Sequence, residues 1–146
     1  MSSLFSSLSV SASGMAAQRE RAELLVENLA NAETTRTPEG GPYRRKDVIF
    51  AEDNSVGSFA SEFNAAIGAP LSGVMVSDRT VDTREPDRRY LPGHPDADKD
   101  GYVAFPRVNP AEDMVDLLGA SRTYEANVAA MSAVKDMIQK SLDLFR

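Results

Sequence analysis

The sequence predicts an α+β fold: two long N- and C-terminal coiled-coil helices packed together, with a small, mostly β insertion between them. Three observations carry this reading. Apolar residues concentrate at the two ends of the chain, each end spaces them in heptads, and the stretch between combines β-favouring runs with Pro- and Gly-rich breakers. The implied division is an N-terminal heptad helix over 1–33, a β-rich middle with long loops over 34–108, and a C-terminal heptad helix over 109–146.

The first helix follows from positions spaced alternately by four and three: Leu4, Leu8, Ser11, Met15, Gln18, Ala22, Leu25 and Leu29. Six of these eight are apolar or Ala, which is an a/d seam. Arg19, Glu20, Glu23 and Glu27 lie off it. A helix from Leu4 to Ala30 would be roughly 40 Å long, with Asn31 as a C-cap that tolerates the left-handed conformation. Inside it, Ser11-Ala12-Ser13-Gly14-Met15-Ala16-Ala17 is a run of small side chains that lets a neighbouring helix approach closely. Residues Thr34–Pro42 (TTRTPEGGP) then break the chain into a loop.

The middle contains three β-favouring runs, Tyr43–Phe50, Gly73–Val81 and Tyr102–Phe105. Phe59, Phe63 and Ile67, at i, i+4 and i+8, predict a short helix over Ser58–Ile67. Asp87–Gly101 is rich in Pro, Gly and Asp and reads as a long turn or loop. An insertion of this size, about 60 residues, buries too little surface to be very stable alone.

The last helix has a clearer start. Asn109 is a good N-cap, Pro110 suits the first helical position, and Glu112, Asp113 and Asp116 complement the helix dipole. The seam then reads Met114, Leu117, Ser121, Tyr124, Val128, Met131, Lys135, Ile138, Leu142 and Phe145, eight of them apolar or aromatic. Such helices can pair within one chain as an antiparallel hairpin or with other copies. The modest apolar content of the middle tilts toward assembly.

Composition narrows the function. Apolar residues make up 42% of the chain, which is ordinary for a globular protein. A net charge of −6 argues against nucleic acid, whose phosphates require clustered Lys and Arg. Arg44-Arg45-Lys46 is short and runs at once into Asp47, so it reads as a solvated turn. With no cysteine there is no disulfide framework, thiol nucleophile or cysteine zinc site. The N-terminal stretch has no basic region followed by an apolar block, so no cleaved signal peptide is expected, and no run approaches the roughly 20 apolar residues of a membrane span.

Two constellations invite chemistry and fail on their own residues. Asp96-Ala97-Asp98-Lys99-Asp100-Gly101 opens like an EF-hand calcium loop. Its twelfth position, however, is Arg107 where a carboxylate is required, and Pro92 and Pro95 oppose the entering helix. A turn in which Asp side chains bond the local backbone accounts for the same residues. His94, the one histidine, sits between Gly93 and Pro95 without a nucleophile elbow, so a loop role is expected. No cofactor is called for. The rival reading is a soluble helical-hairpin adaptor with calcium on the Asp loop.

The motifs carry a family likeness. Ser11–Arg19 (SASGMAAQR) with Asn28–Thr35 (NLANAETT) resembles the signature of flagellar rod and hook axial proteins. Thr37–Asp47 (TPEGGPYRRKD), Pro92–Val103 (PGHPDADKDGYV), Val108–Asp116 (VNPAEDMVD) and Ser121–Asn127 (SRTYEAN) narrow the likeness to the proximal rod. Only about Ala51–Leu71 lies outside it, and Glu20 and Glu23 are more acidic than the pattern. The matching motif positions are Ser13, Gly14, Gln18, Asn28, Asn31, Asn109, Pro110 and Asn127. The resemblance implies a non-enzymatic structural subunit of the basal-body rod crossing the periplasm, exported uncleaved by the flagellar type III apparatus. Its implied partners are other copies of itself, other rod proteins, basal-body adaptor or MS-ring components and the export apparatus, with no nucleic acid and no membrane insertion. Assembly is expected to run through Leu4, Leu8, Met15, Leu25, Leu29, Met114, Leu117, Tyr124, Val128, Met131, Ile138 and Leu142.

Overall fold

The computed structural model describes residues 2–53 and 72–143, with side chains from residue 7 onward. The expected short helix over Ser58–Ile67, the seam residue Phe145 and the side chain of Leu4 lie outside the described residues. The element order is α1 (Ser2–Ala30), β1 (Lys46–Asp53), β2 (Gly73–Val81), β3 (Asp87–Tyr90), β4 (Tyr102–Phe105) and α2 (Pro110–Asp143). The fold is therefore two terminal helices around two separate two-stranded antiparallel sheets, β1-β2 and β3-β4.

The helices run antiparallel, since Gly14 lies against Asn127 while Arg21 reaches Asp116 at 3.5 Å. On its other side α1 carries the β1-β2 hairpin, paired from Lys46↔Val81 to Asp53↔Gly73 with an irregularity between Ile49 and Phe50. Helix α1 is thus covered on two sides, and it supplies Ala17, Leu24, Leu25 and Asn28 to the buried set. Helix α2 is covered on one side and supplies only Asp113, Ala120 and Val134. This asymmetry explains why most seam positions of α1 are at least half-buried while much of α2 faces solvent.

The heptad of α2 falls partly where expected. Leu117, Met131 and Ile138 are turned from solvent, but Met114, Val128 and Leu142 are exposed, as is Tyr124 to a lesser degree. The inward positions beside them are Asp113, Ala120, Asn127 and Val134, each one residue before a position of the heptad seam: Met114, Ser121, Val128 and Lys135. The face of α2 turned inward is thus displaced by one residue from alternate seam positions, with Asp113 engaged by Arg45 at its start and Ala120 and Asn127 at its middle.

Two further expectations are corrected. The stretch Asp87–Gly101 is not one loop, because Asp87–Tyr90 pairs with Tyr102–Phe105 in the register Asp87↔Phe105 to Tyr90↔Tyr102. All four residues of β3 are exposed and three are charged, which hides the strand from a hydrophobic pattern. It is held by cross-strand side chains, Tyr90 edge-on to Tyr102 at 5.4 Å and the Arg89 guanidinium 4.8 Å above the Phe105 ring. Asn31 caps α1 without a left-handed backbone: no non-Gly residue among those described has positive φ. Its side-chain amide instead donates to the Glu27 carbonyl at 2.9 Å, which also accepts the Asn31 backbone N–H at 3.1 Å.

Asn109 behaves as the N-cap it resembles, its side-chain oxygen accepting from the Ala111 N–H at 3.2 Å. At Gly14, α1 and α2 come close. A Cβ there would stand 3.3 Å from Asn127 Nδ2, which is itself anchored to the Thr123 carbonyl. We expect Gly14→Ala to be close to neutral, its gain in helix propensity of about 1 kcal/mol offsetting the tight contact. Gly14→Leu should lose roughly 1–3 kcal/mol by forcing the helices apart; equal urea midpoints for the two variants would refute this.

Candidate assembly interface

The surfaces on offer are held in place by a joint where the end of α1, the start of β1 and the first turn of α2 converge. Its centre is Asn28, whose side chain is 0% exposed. Asn28 Nδ2 donates to the Lys46 carbonyl at 2.8 Å, while Asn28 Oδ1 accepts from the Lys46 N–H at 2.9 Å and from the Tyr43 hydroxyl at 2.9 Å. One amide side chain thus satisfies both backbone groups of the first residue of β1, as a neighbouring strand would. Lys46 Nζ returns to α1 through Glu27 at 2.5 Å.

The second anchor is Asp113, 1% exposed in the first turn of α2. Its Oδ1 accepts from Arg45 Nη2 at 2.7 Å and from Arg45 Nε at 3.2 Å. The guanidinium is held protonated by this bond, its pKa raised, and the carboxylate sits at the positive end of the helix. Asp113 Oδ2 is buried with no hydrogen-bond partner among the described residues. Three residues of one short segment therefore fasten the start of β1 to both helices: Tyr43 and Lys46 to α1, Arg45 to α2.

The Tyr43 phenol is pushed up to about 12, chiefly by burial and then by the nearby Glu27 and Asp113 carboxylates. A raised acid pKa favours the neutral form in the folded chain. The corresponding stability is complete below the ordinary tyrosine range near 10 and is lost as pH rises from there through about 12. We expect one of the four tyrosines to ionise only near pH 12, read by phenolate absorbance; a titration complete well below pH 12 would refute it.

Other motif residues have structural duties as well. Ser13 Oγ donates to the Val10 carbonyl at 2.8 Å and accepts from the Val74 N–H at 3.0 Å, tying β2 to α1. The backbone comes so close there that a Cβ on Gly73 would meet Ser13 Oγ at 2.8 Å. Gln18 lies half-buried on the same helix with its Oε1 unpartnered among the described residues. Thr35, whose role sequence reasoning missed, donates to Asp96 at 2.8 Å and so fastens the linker to the β3-β4 loop. No local pattern links residues 61 positions apart, so nothing in the sequence marked that bond.

The Asp loop is a turn. Asp98 Oδ1 accepts from the backbone N–H groups of Asp100 at 2.9 Å and Tyr102 at 2.8 Å, and Gly101 takes φ 81° to close it. Asp96 is engaged by Thr35 and by Arg36 at 3.7 Å. Among the described residues no three His, Cys, Asp or Glu side chains converge, and the calcium-adaptor reading finds no support. His94 accepts from the Asp96 N–H and packs edge-on to Phe105, a loop role.

Around this frame the chain leaves large apolar side chains uncovered. On α2 these are Met114, Val115, Leu118, Tyr124, Val128, Met137 and Leu142; on the β1-β2 hairpin they include Ile49, Phe50 and Met75. The seam residues thus separate. Leu25 is buried within the chain and Leu8, Met15, Leu29, Leu117, Met131 and Ile138 are partly covered, whereas Met114, Tyr124, Val128 and Leu142 are open. No helix among the described residues is long and apolar enough to cross a membrane.

Comparison with known proteins places these features. The family described as flagellar basal body rod FlgEFG protein C-terminal matches residues 99–144, from within the Asp turn through the whole of α2. The chain is 44% identical to the flagellar basal-body rod protein FlgC of Bacillus subtilis, over 96% of this chain and 97% of that one. It is 41% identical to the protein of the same name from Borreliella burgdorferi, over 98% of each. A third such protein, from Escherichia coli O6:H1, is 40% identical over 92% of each chain. Identity of this order along nearly the whole length establishes that the chain belongs to the FlgC family of flagellar basal-body rod proteins.

Proposed function

We propose that this chain is a mechanical subunit of the rod, polymerising by coiled-coil packing of its terminal helices against neighbouring copies and other rod proteins. In that arrangement the helices form the inner wall that encloses the export channel and transmits torque, and the β middle stands outward. The observation that carries the reading is α2: 34 residues long, covered by α1 on one side only, with Met114, Val115, Leu118, Val128, Met137 and Leu142 left uncovered. A patch of that kind marks an interaction surface. The division into helix 1–33, middle 34–108 and helix 109–146 is then also a division of labour, with the joint at Asn28 and Asp113 setting the angle between wall and outer part.

The buried polar groups fit a structural role better than a catalytic one. Asn28, Tyr43, Arg45 and Asp113 bond to one another or to backbone rather than converging on an open cleft. Delivery by the type III export apparatus, without cleavage, and attachment to adaptor or MS-ring components at the base of the rod belong to the same reading. Purification of intact basal bodies tests it. The chain should remain at stoichiometric level after stringent washing, and its absence from basal bodies of motile cells would overturn the proposal.

A further inference from the structure

The two helices pack against each other and leave an outward strip on each. From Ala12 onward the exposed residues of α1 are Ala12, Ala16, Arg19, Glu23, Val26 and Ala30, in alternating steps of four and three. That spacing keeps them on one line, half a turn from Gly14 and Arg21, which face α2. On α2 the matching line is Val115, Leu118, Arg122, Glu125, Ala129 and Ser132, all exposed and half a turn from the buried Asp113, Ala120 and Val134. The two strips point away from each other, so they cannot meet within one chain.

Set antiparallel, the strips match. Ala30 faces Val115, Val26 faces Leu118, Glu23 faces Arg122, Arg19 faces Glu125, Ala16 faces Ala129 and Ala12 faces Ser132. The two lines stay in step to within one residue over roughly 26 Å of helix. Opposite charges meet at the centre, and the exposed Val26, Val115 and Leu118 meet at one end. A parallel arrangement would set Arg19 against Arg122 and Glu23 against Glu125. Arg122 and Glu125 take part in no ion pair among the described residues. Arg19 and Glu23 hold each other at 3.4 Å with both side chains largely in water, a weak bond that is readily exchanged. An open groove of about 380 Å³ between this strip and β2, lined by Ala16, Arg19, Glu23, Val74 and Met75, gives a neighbouring helix room to seat.

We infer that the outward strip of α2 docks on the outward strip of α1 of a second copy. The inference rests on the assembly reading above and names the two faces that carry it. Each α1 then lies between its own α2 and a neighbour's, and the helices alternate along a continuous wall. The two faces differ, so the contact is heterologous and repeats from copy to copy rather than closing into a dimer. Asn127 stands level with Gly14 of its own chain but, in this register, with Ala17 and Gln18 of the neighbour's. Successive copies are therefore offset by three to four residues, roughly 5 Å along the helix axis, and the wall climbs as it grows.

The chain has no cysteine, so engineered pairs report without background. Cells carrying Ala16→Cys with Ala129→Cys as their sole copy are oxidised briefly, and washed basal bodies are run without reductant. A ladder of dimers and higher multimers is expected from the double variant and no crosslink from either single variant. Dimers from Ala129→Cys alone would mean that α2 packs on α2, which overturns the contact. A double variant present in basal bodies but never crosslinked overturns it as well, and leaves the assembly reading standing. Absence of the chain from basal bodies of cells that still swim overturns both. Charge exchange gives a second readout. Arg122→Glu, set against Glu23, should reduce swimming several-fold, and adding Glu23→Arg should restore it; a double variant no better than Arg122→Glu counts against the contact in the same way.

Discussion

Leu142→Asp is expected to abolish rod assembly while leaving the isolated chain folded, and Leu25→Asp is expected to unfold the chain itself. Both residues occupy the same kind of heptad position in sequence, but their surroundings differ. Leu25 is 3% exposed, so a carboxylate there is cut off from water. Burying an unpaired charge and losing a packed leucine together cost on the order of 4 kcal/mol or more, a large part of a small domain's total stability. Leu142 is 57% exposed in the last turn of α2. An aspartate at that site loses little packing and suffers only a few tenths of a kcal/mol from the negative end of the helix. If a neighbouring copy covers Leu142 in the rod, however, the same aspartate becomes a buried charge in the interface, and assembly fails. Urea denaturation of the purified variants and swimming assays of the corresponding cells separate the two effects. Normal motility with Leu142→Asp, or a folded Leu25→Asp chain with an unchanged midpoint, would contradict the argument.

The contrast between those residues also shows how far the sequence could be read. The helices and three of the four strands were legible because they rest on short-range signals: heptad spacing, an Asn-Pro start, Pro-Gly breakers and β-branched runs. Strand β3 was not, since DRRY has no apolar alternation and is held by Tyr90 against Tyr102 and Arg89 over Phe105, both products of the register. The inward line of α2 was half legible. Leu117, Met131 and Ile138 announce themselves, whereas Asp113 and Asn127 are polar and were passed over in favour of Met114 and Val128. Polar residues occupy those places because the partner surface is polar or close: Arg45 in one case, the bare backbone at Gly14 in the other. Asn28 was noticed only as part of a motif. Its duty as a substitute strand for Lys46 depends on a contact across 18 residues, which no local pattern reveals.

Arg45→Ala should be the most damaging single change at the joint, with an expected loss of about 3–5 kcal/mol. The cost would come less from the lost attraction than from what remains. Asp113 is 1% exposed, its Oδ2 already lacks a partner, and removal of Arg45 leaves the whole carboxylate without a side-chain donor among the described residues. The helix N-terminus offsets only a small part of that. Asp113→Asn should cost less, because it removes the buried charge and leaves Arg45, which is partly exposed, able to turn toward Asp47 at 3.8 Å. The double replacement Arg45→Met with Asp113→Leu should recover most of the stability, since an apolar pair of similar bulk incurs no desolvation cost. Recovery of stability need not mean recovery of function. The guanidinium fixes the start of β1 against α2 in one orientation through two directed bonds, whereas an apolar pair fixes no angle. The double variant is therefore expected to approach the parent in urea midpoint yet to assemble rods less efficiently. A double variant as unstable as Arg45→Ala would show that the ion pair contributes through attraction, and that the joint is a source of stability rather than of geometry.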